Sequence, residues 1–107
     1  RRGPRSMKLK PGIDIRGVRP EIVLAMIVVE PIVAKHAPFV VTSVCEGTHK
    51  PTSLHYSGFA IDIRTRDMDQ AMVRPLVQEL QDALGTQFDV VLEGDHVHLE
   101  FDPPKEK

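Results

Sequence analysis

From Pro20 to Lys35 apolar residues fill nearly every position, and the unbroken run Ile22 to Val29 is the longest in the chain. That density predicts a helix buried on most of its sides. Pro20 suits a first helical turn, where its fixed φ is right and its missing N–H costs nothing. Glu21 favours the positive end of the helix dipole. Pro31 is expected to kink this helix or to end it near Glu30. Phe39 to Cys45 is rich in β-branched residues and reads as a strand. From Phe59 to Arg64 the period changes to two: Phe59, Ile61 and Ile63 point one way, and Ala60, Asp62 and Arg64 the other.

Leu76, Val77, Leu80 and Leu84 then recur at helical spacing. They predict a second helix capped by Asp67 or Asp69 and stopped by Gly85, with Pro75 blurring its first turn. Phe88 to Glu93 and Val97 to Asp102 read as two strands around a tight Gly94-Asp95 connection. Val97, Leu99 and Phe101 face the core; His96, His98 and Glu100 share the other face. Lys8 to Val18 is expected to be extended or loop, with a turn at Pro11-Gly12. The whole predicts a small single α+β domain over residues 7–107, a mainly antiparallel sheet with helices packed on one face. Residues 1–6 precede Met7 and are read as a leader or leftover cloning sequence outside the fold.

Composition narrows the function classes. At 107 residues the chain can build one core, and 41% apolar with 27% charged residues is ordinary for a globular protein. A net charge of −1 gives no electrostatic case for nucleic acid or an anionic membrane. The basic start leads into Pro11 and Gly12 instead of an apolar stretch, so no signal peptide is expected. The single cysteine, Cys45, excludes an internal disulfide framework and reads as a buried strand residue.

The candidate chemistry lies in Ser53-Leu-His-Tyr-Ser-Gly-Phe-Ala-Ile-Asp62 and Glu93-Gly-Asp-His-Val-His98. His55 and Asp62 are seven residues apart, which on a straight strand would send them to opposite faces; a bend at Gly58 turns the histidine back. His98 arrives from another strand on the same polar face. Two imidazoles and a carboxylate form the three-ligand set of a catalytic zinc, which keeps a fourth position for water. Asp95, on the turn, is placed to act as base on that water, with Glu93 in reserve. His96 and His49 are candidates to donate hydrogen bonds to a developing oxyanion. The plainer reading pairs Asp62 with Arg64 or Arg66, gives Asp95 to its turn, and makes His36 a surface residue and Tyr56 a cleft wall.

These two motifs together resemble the zinc D-alanyl-D-alanine carboxypeptidases and the L-alanyl-D-glutamate endopeptidases of phage lysins, a group that shares its zinc site with hedgehog signalling domains. The likeness spans roughly Phe39 to Phe101. It implies that His55, Asp62 and His98 hold one zinc ion, that Asp95 is the general base and that His96 sits beside the metal. Ser43 resembles the family serine. Many members carry an arginine shortly after it, where Val44, Cys45 and Glu46 stand here; His49 or Lys50 is the expected substitute.

The reading that follows is a monomeric zinc metallopeptidase cutting bacterial peptidoglycan stem peptides, phage or prophage in origin. Such a protein stays in the host cytoplasm until lysis or rides in a virion. The alternatives are a non-catalytic, hedgehog-like zinc-binding module and a virion structural component.

Overall fold

The computed structural model describes residues 7–44 and 58–103. Its elements run β1 (Lys8–Leu9), α1 (Pro20–Val33), β2 (Val40–Ser43), β3 (Ala60–Arg64), a 3₁₀ turn (Gln70–Met72), α2 (Val73–Leu84), β4 (Phe88–Glu93) and β5 (His96–Phe101). The strands form one sheet in the order β1-β2-β3-β5-β4. Among the described residues only β1 and β2 run parallel; the other pairings are antiparallel. Ile61, Ile63, Val97 and Leu99 point from the sheet into a core shared with Ile22, Val29, Leu76 and Leu80 of the helices. The expected α+β class and one-sided helical layer are observed.

Helix α1 departs from expectation in two respects. Of the two outcomes expected at Pro31, the helix does not end near Glu30: it continues to Val33, and the Ala34 N–H bonds to the Glu30 carbonyl. Losing one donor near the C-terminal end is tolerated because few turns depend on it. Nor is the helix buried most of the way round: Leu24 and Ile27 are each 62% exposed. Its apolar composition exceeds what a single flanking sheet can cover. Helix α2 matches its prediction more closely. The Asp69 carboxylate accepts from the Ala71 N–H at 3.0 Å and starts the 3₁₀ turn that leads into it. Pro75 falls in the first turn of α2, where N–H groups have no intrahelical partner, and Gly85 ends the helix with φ 86°.

Three local features set the stage for the polar face. Val41 pairs with Ile63 but Ser43 pairs with Asp62, so β2 carries one extra residue, Thr42, in a β-bulge. The bulge flips Ser43 away from the core side that Val41 occupies and sets it beside Asp62. Gly58 takes φ 81° and packs so closely against residue 17 that an added Cβ would clash with the Gly17 carbonyl oxygen. At the far edge of the sheet, Gln81 of α2 reaches over β4. Its amide donates to the carbonyls of Gly85 (3.0 Å) and Phe88 (2.8 Å), and its oxygen accepts from the Val90 N–H (3.1 Å).

Candidate functional site

The face of the sheet away from the helices gathers the candidate residues through strand register. Asp62 of β3 lies opposite His98 of β5, Arg64 opposite His96, and Ala60 opposite Glu100. Period-two alternation puts Asp62, His96, His98 and Glu100 on this one face. The two-residue turn between β4 and β5 uses Gly94 at φ 61° and leaves Asp95 at negative φ, the pattern of a type II′ hairpin. That turn brings Asp95 to the edge of the same face.

His98 is held between two carboxylates. Its Nδ1 lies 3.1 Å from Asp62 Oδ1 and its Nε2 2.7 Å from Glu100 Oε1. The hydrogen bond to Asp62 is the main cause that lifts its pKa to about 9; burial opposes the rise, and Glu100 adds to it. In the metal-free protein at neutral pH the ring is therefore an imidazolium donating to both acids.

Two of the three expected zinc ligands, Asp62 and His98, stand side by side; the third, His55, lies outside the described residues. Two ligand atoms on a tetrahedral zinc stand about 3.4 Å apart, close to the 3.1 Å between Nδ1 and Oδ1. A metal-bound histidine commonly gives its second ring N–H to a carboxylate, which fixes the ring's tautomer and direction. Glu100 is in that place. Nε2 faces Glu100, and Nδ1 is the ring nitrogen that faces Asp62. Sequence reading put Glu100 on the right face but gave it no role; the signal was its position two residues beyond His98 on the same strand.

His96 joins the remaining carboxylates. Its Nε2 is 3.8 Å from Asp62 Oδ2 and 3.5 Å from Glu93 Oε1, and its Nδ1 is 3.4 Å from Asp95 Oδ1. Asp95, Glu93 and Asp62 therefore converge on one imidazole, with Asp95 the most exposed of the three. Asp62, Asp95 and His96 line a cleft of about 260 Å³ on this face. Arg64 does not take Asp62 for its carboxylate partner; its Nη1 lies 3.6 Å from Asp67 Oδ2.

The structure thus brings together Asp62, His98, Asp95, His96 and the reserve base Glu93. Cys45, His49, Lys50, His55 and Tyr56 lie outside the described residues. Asp89, Glu100 and Asp102 also bring carboxylate oxygens within 4.8 Å of one another. Acidic groups at a sheet edge assign no ion by themselves, and Glu100 is already bonded to His98. Among the described residues no helix is long and apolar enough to cross a membrane.

A comparison with curated protein sequences finds no match. The family model described as the hedgehog amino-terminal signalling domain matches residues 22–100. That span begins in α1, ends in β5 and contains the whole Asp62, Asp95, His96 and His98 constellation. The chain belongs to the hedgehog amino-terminal signalling domain family.

Proposed function

We propose that the chain is a zinc-dependent peptidase that hydrolyses a peptide bond in bacterial peptidoglycan stem peptides, of the D-alanyl-D-alanine carboxypeptidase or L-alanyl-D-glutamate endopeptidase type. The observation that carries this reading is the clamped His98: Glu100 behind it, Asp62 3.1 Å in front, and a carboxylate-bearing turn alongside. One zinc ion held by His55, Asp62 and His98 would acidify a water and polarise the scissile carbonyl.

The chain's own groups account for the rest. Asp95 accepts the proton that the attacking water loses, and returns it to the leaving amine nitrogen as the peptide bond breaks. Its exposed carboxylate is free to meet a bound substrate. His96, steered by Asp95 and Asp62 on either side, can donate a hydrogen bond to the carbonyl oxygen as negative charge develops there. His49 is a second donor candidate from the sequence. The substrate is a stem peptide, met without nucleic acid or membrane, by a monomer of phage or prophage origin.

A second reading is favoured by the family's description as a signalling domain: a zinc-binding interaction module without turnover. Incubating the protein with purified peptidoglycan and identifying released fragments by mass spectrometry separates the two. New amino or carboxyl termini within stem peptides support the peptidase. Intact peptidoglycan, with zinc bound at one ion per chain, supports the module.

A further inference from the structure

Helix α1 has two apolar sides. Ile22, Met26, Val29 and Val33 fill the core side. On the other, Leu24 and Ile27 are the most exposed large hydrophobics described, with Val23 and Val28 next to them at 41% and 42%. Single exposed apolar residues are ordinary, but a contiguous row along one helix marks a contact surface. Pro20, Leu24, Ile27, Pro31 and Ala34 follow one another at steps of four, three, four and three residues. That is the spacing of a seam between two packed helices, and here it runs along the outer side of α1.

A groove of about 420 Å³ lies beside this row, walled by Leu24, Ala25 and Val28 of α1, Leu84 of α2, and Phe88 and Phe101 of the sheet. Ridge and groove thus share one patch. A twofold contact uses the same patch on both copies, so it needs both features side by side.

Charge selects the orientation. Glu21, at the N-terminal end of α1, borders the groove and so lies on the α2 side. Lys35, just past the cap residue Ala34, lies on that side too, with its Nζ 3.0 Å from Glu79 Oε2. Both members of that pair are about half exposed, and the ammonium has further donors to offer. Glu21, Val28 and Lys35 are spaced by seven residues, which sets them along one flank of the row. Arg19 and Glu30 lie off this flank: Arg19 sits over the Phe59 ring at 5.1 Å, and Glu30 falls on the side of Val23. Two α1 helices laid antiparallel bring the acidic end of each toward the basic end of the other, with their macrodipoles opposed. A parallel pair sets like charges and like dipole ends together.

We propose that α1 is a dimerisation helix, packing antiparallel against α1 of a second copy of this chain about a twofold axis. The pair supersedes the monomer of the function proposed above but does not rest on that function. The Asp62 and His98 face is turned away from the helices, so both sites stay open. One helix face with its flanks is at the low end of specific interfaces, roughly 1,200 Å² in total, so a reversible association in the micromolar range is expected.

Sedimentation velocity of the full chain tests this from about 1 μM to about 1 mM, the span over which such a contact saturates. Monomer should give way to dimer and to nothing larger, because a twofold contact is closed. Ile27→Glu changes only an outward side chain and should weaken pairing by at least about 100-fold, since the twofold buries the new charge twice. Far-UV circular dichroism of that variant certifies the fold. Orientation is read from nitroxide labels on single cysteines in a Cys45→Ser background. With a rise of about 1.5 Å per residue, labels at position 21 of an antiparallel pair should stand farther apart than labels at position 28 by roughly 10 Å.

A monomer at every concentration would overturn the proposal, as would growth beyond two copies. Dimerisation undiminished in a folded Ile27→Glu variant would place the contact elsewhere, and equal label distances at the two positions would mean a parallel pair; either result overturns it.

Discussion

Asp62 and His98, 36 residues apart in sequence, face each other across two antiparallel strands with Oδ1 and Nδ1 3.1 Å apart. The contact ties the centre of the sheet to the final hairpin. Any ion held there links two distant parts of the chain, so its binding free energy is in part folding free energy.

Zinc removal is therefore expected to lower the melting temperature. Elemental analysis should give one zinc per chain, and verified chelation should shift the thermal transition downward. Cys45→Ser should leave the metal content unchanged. An unaltered melting curve after chelation would sever the proposed site from the fold.

Glu100→Gln keeps the shape of the residue behind His98 but weakens its hold on the ring. Zinc affinity should fall by roughly 10- to 100-fold, as for other partners of metal-bound histidines. In the metal-free protein above about pH 9, where the ring is neutral, its ¹⁵N shifts should show a changed tautomer population. Were the tautomer and the affinity both to stay fixed, Glu100 would have no orienting role.

The pH dependence of the metal-free protein follows from the raised pKa of His98, about 9 in the fold against an ordinary 6.5. The folded state binds this proton more tightly than the unfolded chain. Its contribution is fully present below about 6.5 and is lost as pH rises through about 9. Allowing for partial solvent screening, the loss should be on the order of 2 kcal/mol. Chemical denaturation of chelated protein between these limits measures it, and the His98→Gln variant should flatten the profile. Rising stability over that interval would contradict the clamp.

Asp95→Asn removes a proton acceptor without removing a ligand. Zinc content and melting temperature should barely change, while stem-peptide hydrolysis should fall by roughly 10²–10⁴. Glu93→Gln is the matched control, since Glu93 also approaches His96. Loss of turnover in the Glu93 variant alone would move the base to that residue.

Gly58→Ala tests the joint between the β1–α1 connection and β3. The added methyl would clash with the Gly17 carbonyl oxygen, and φ 81° is unfavourable for alanine. A loss of about 1–3 kcal/mol is expected, from strain and displaced backbone together. A denaturant midpoint within error of the parent would show that the contact yields freely.

What the sequence disclosed and what it withheld divide along the range of the forces involved. The β3 alternation and the Gly94-Asp95 turn are local, and both predicted the face on which Asp62, His96 and His98 meet. The bulge at Thr42 was not legible, because an extra residue is defined only against the partner strand. The two-residue strand β1 has no period of its own and exists through β2. In α1 the apolar density said that the helix is hydrophobic, but the number of layers available to cover it is a property of the whole fold. Glu100 was visible as a face-mate of His98, yet the 2.7 Å contact depends on rotamers that spacing does not determine.

The amide of Gln81 has one more consequence. Strand β4 borders the sheet, and an uncovered border invites a strand from another molecule. By bonding to the Phe88 carbonyl and the Val90 N–H, Gln81 supplies from a helix the donor and acceptor that an intruding strand would bring. One side chain thus guards against edge-to-edge aggregation where Val91 is itself exposed, and a chain with alanine at position 81 would be the one to precipitate first on concentration.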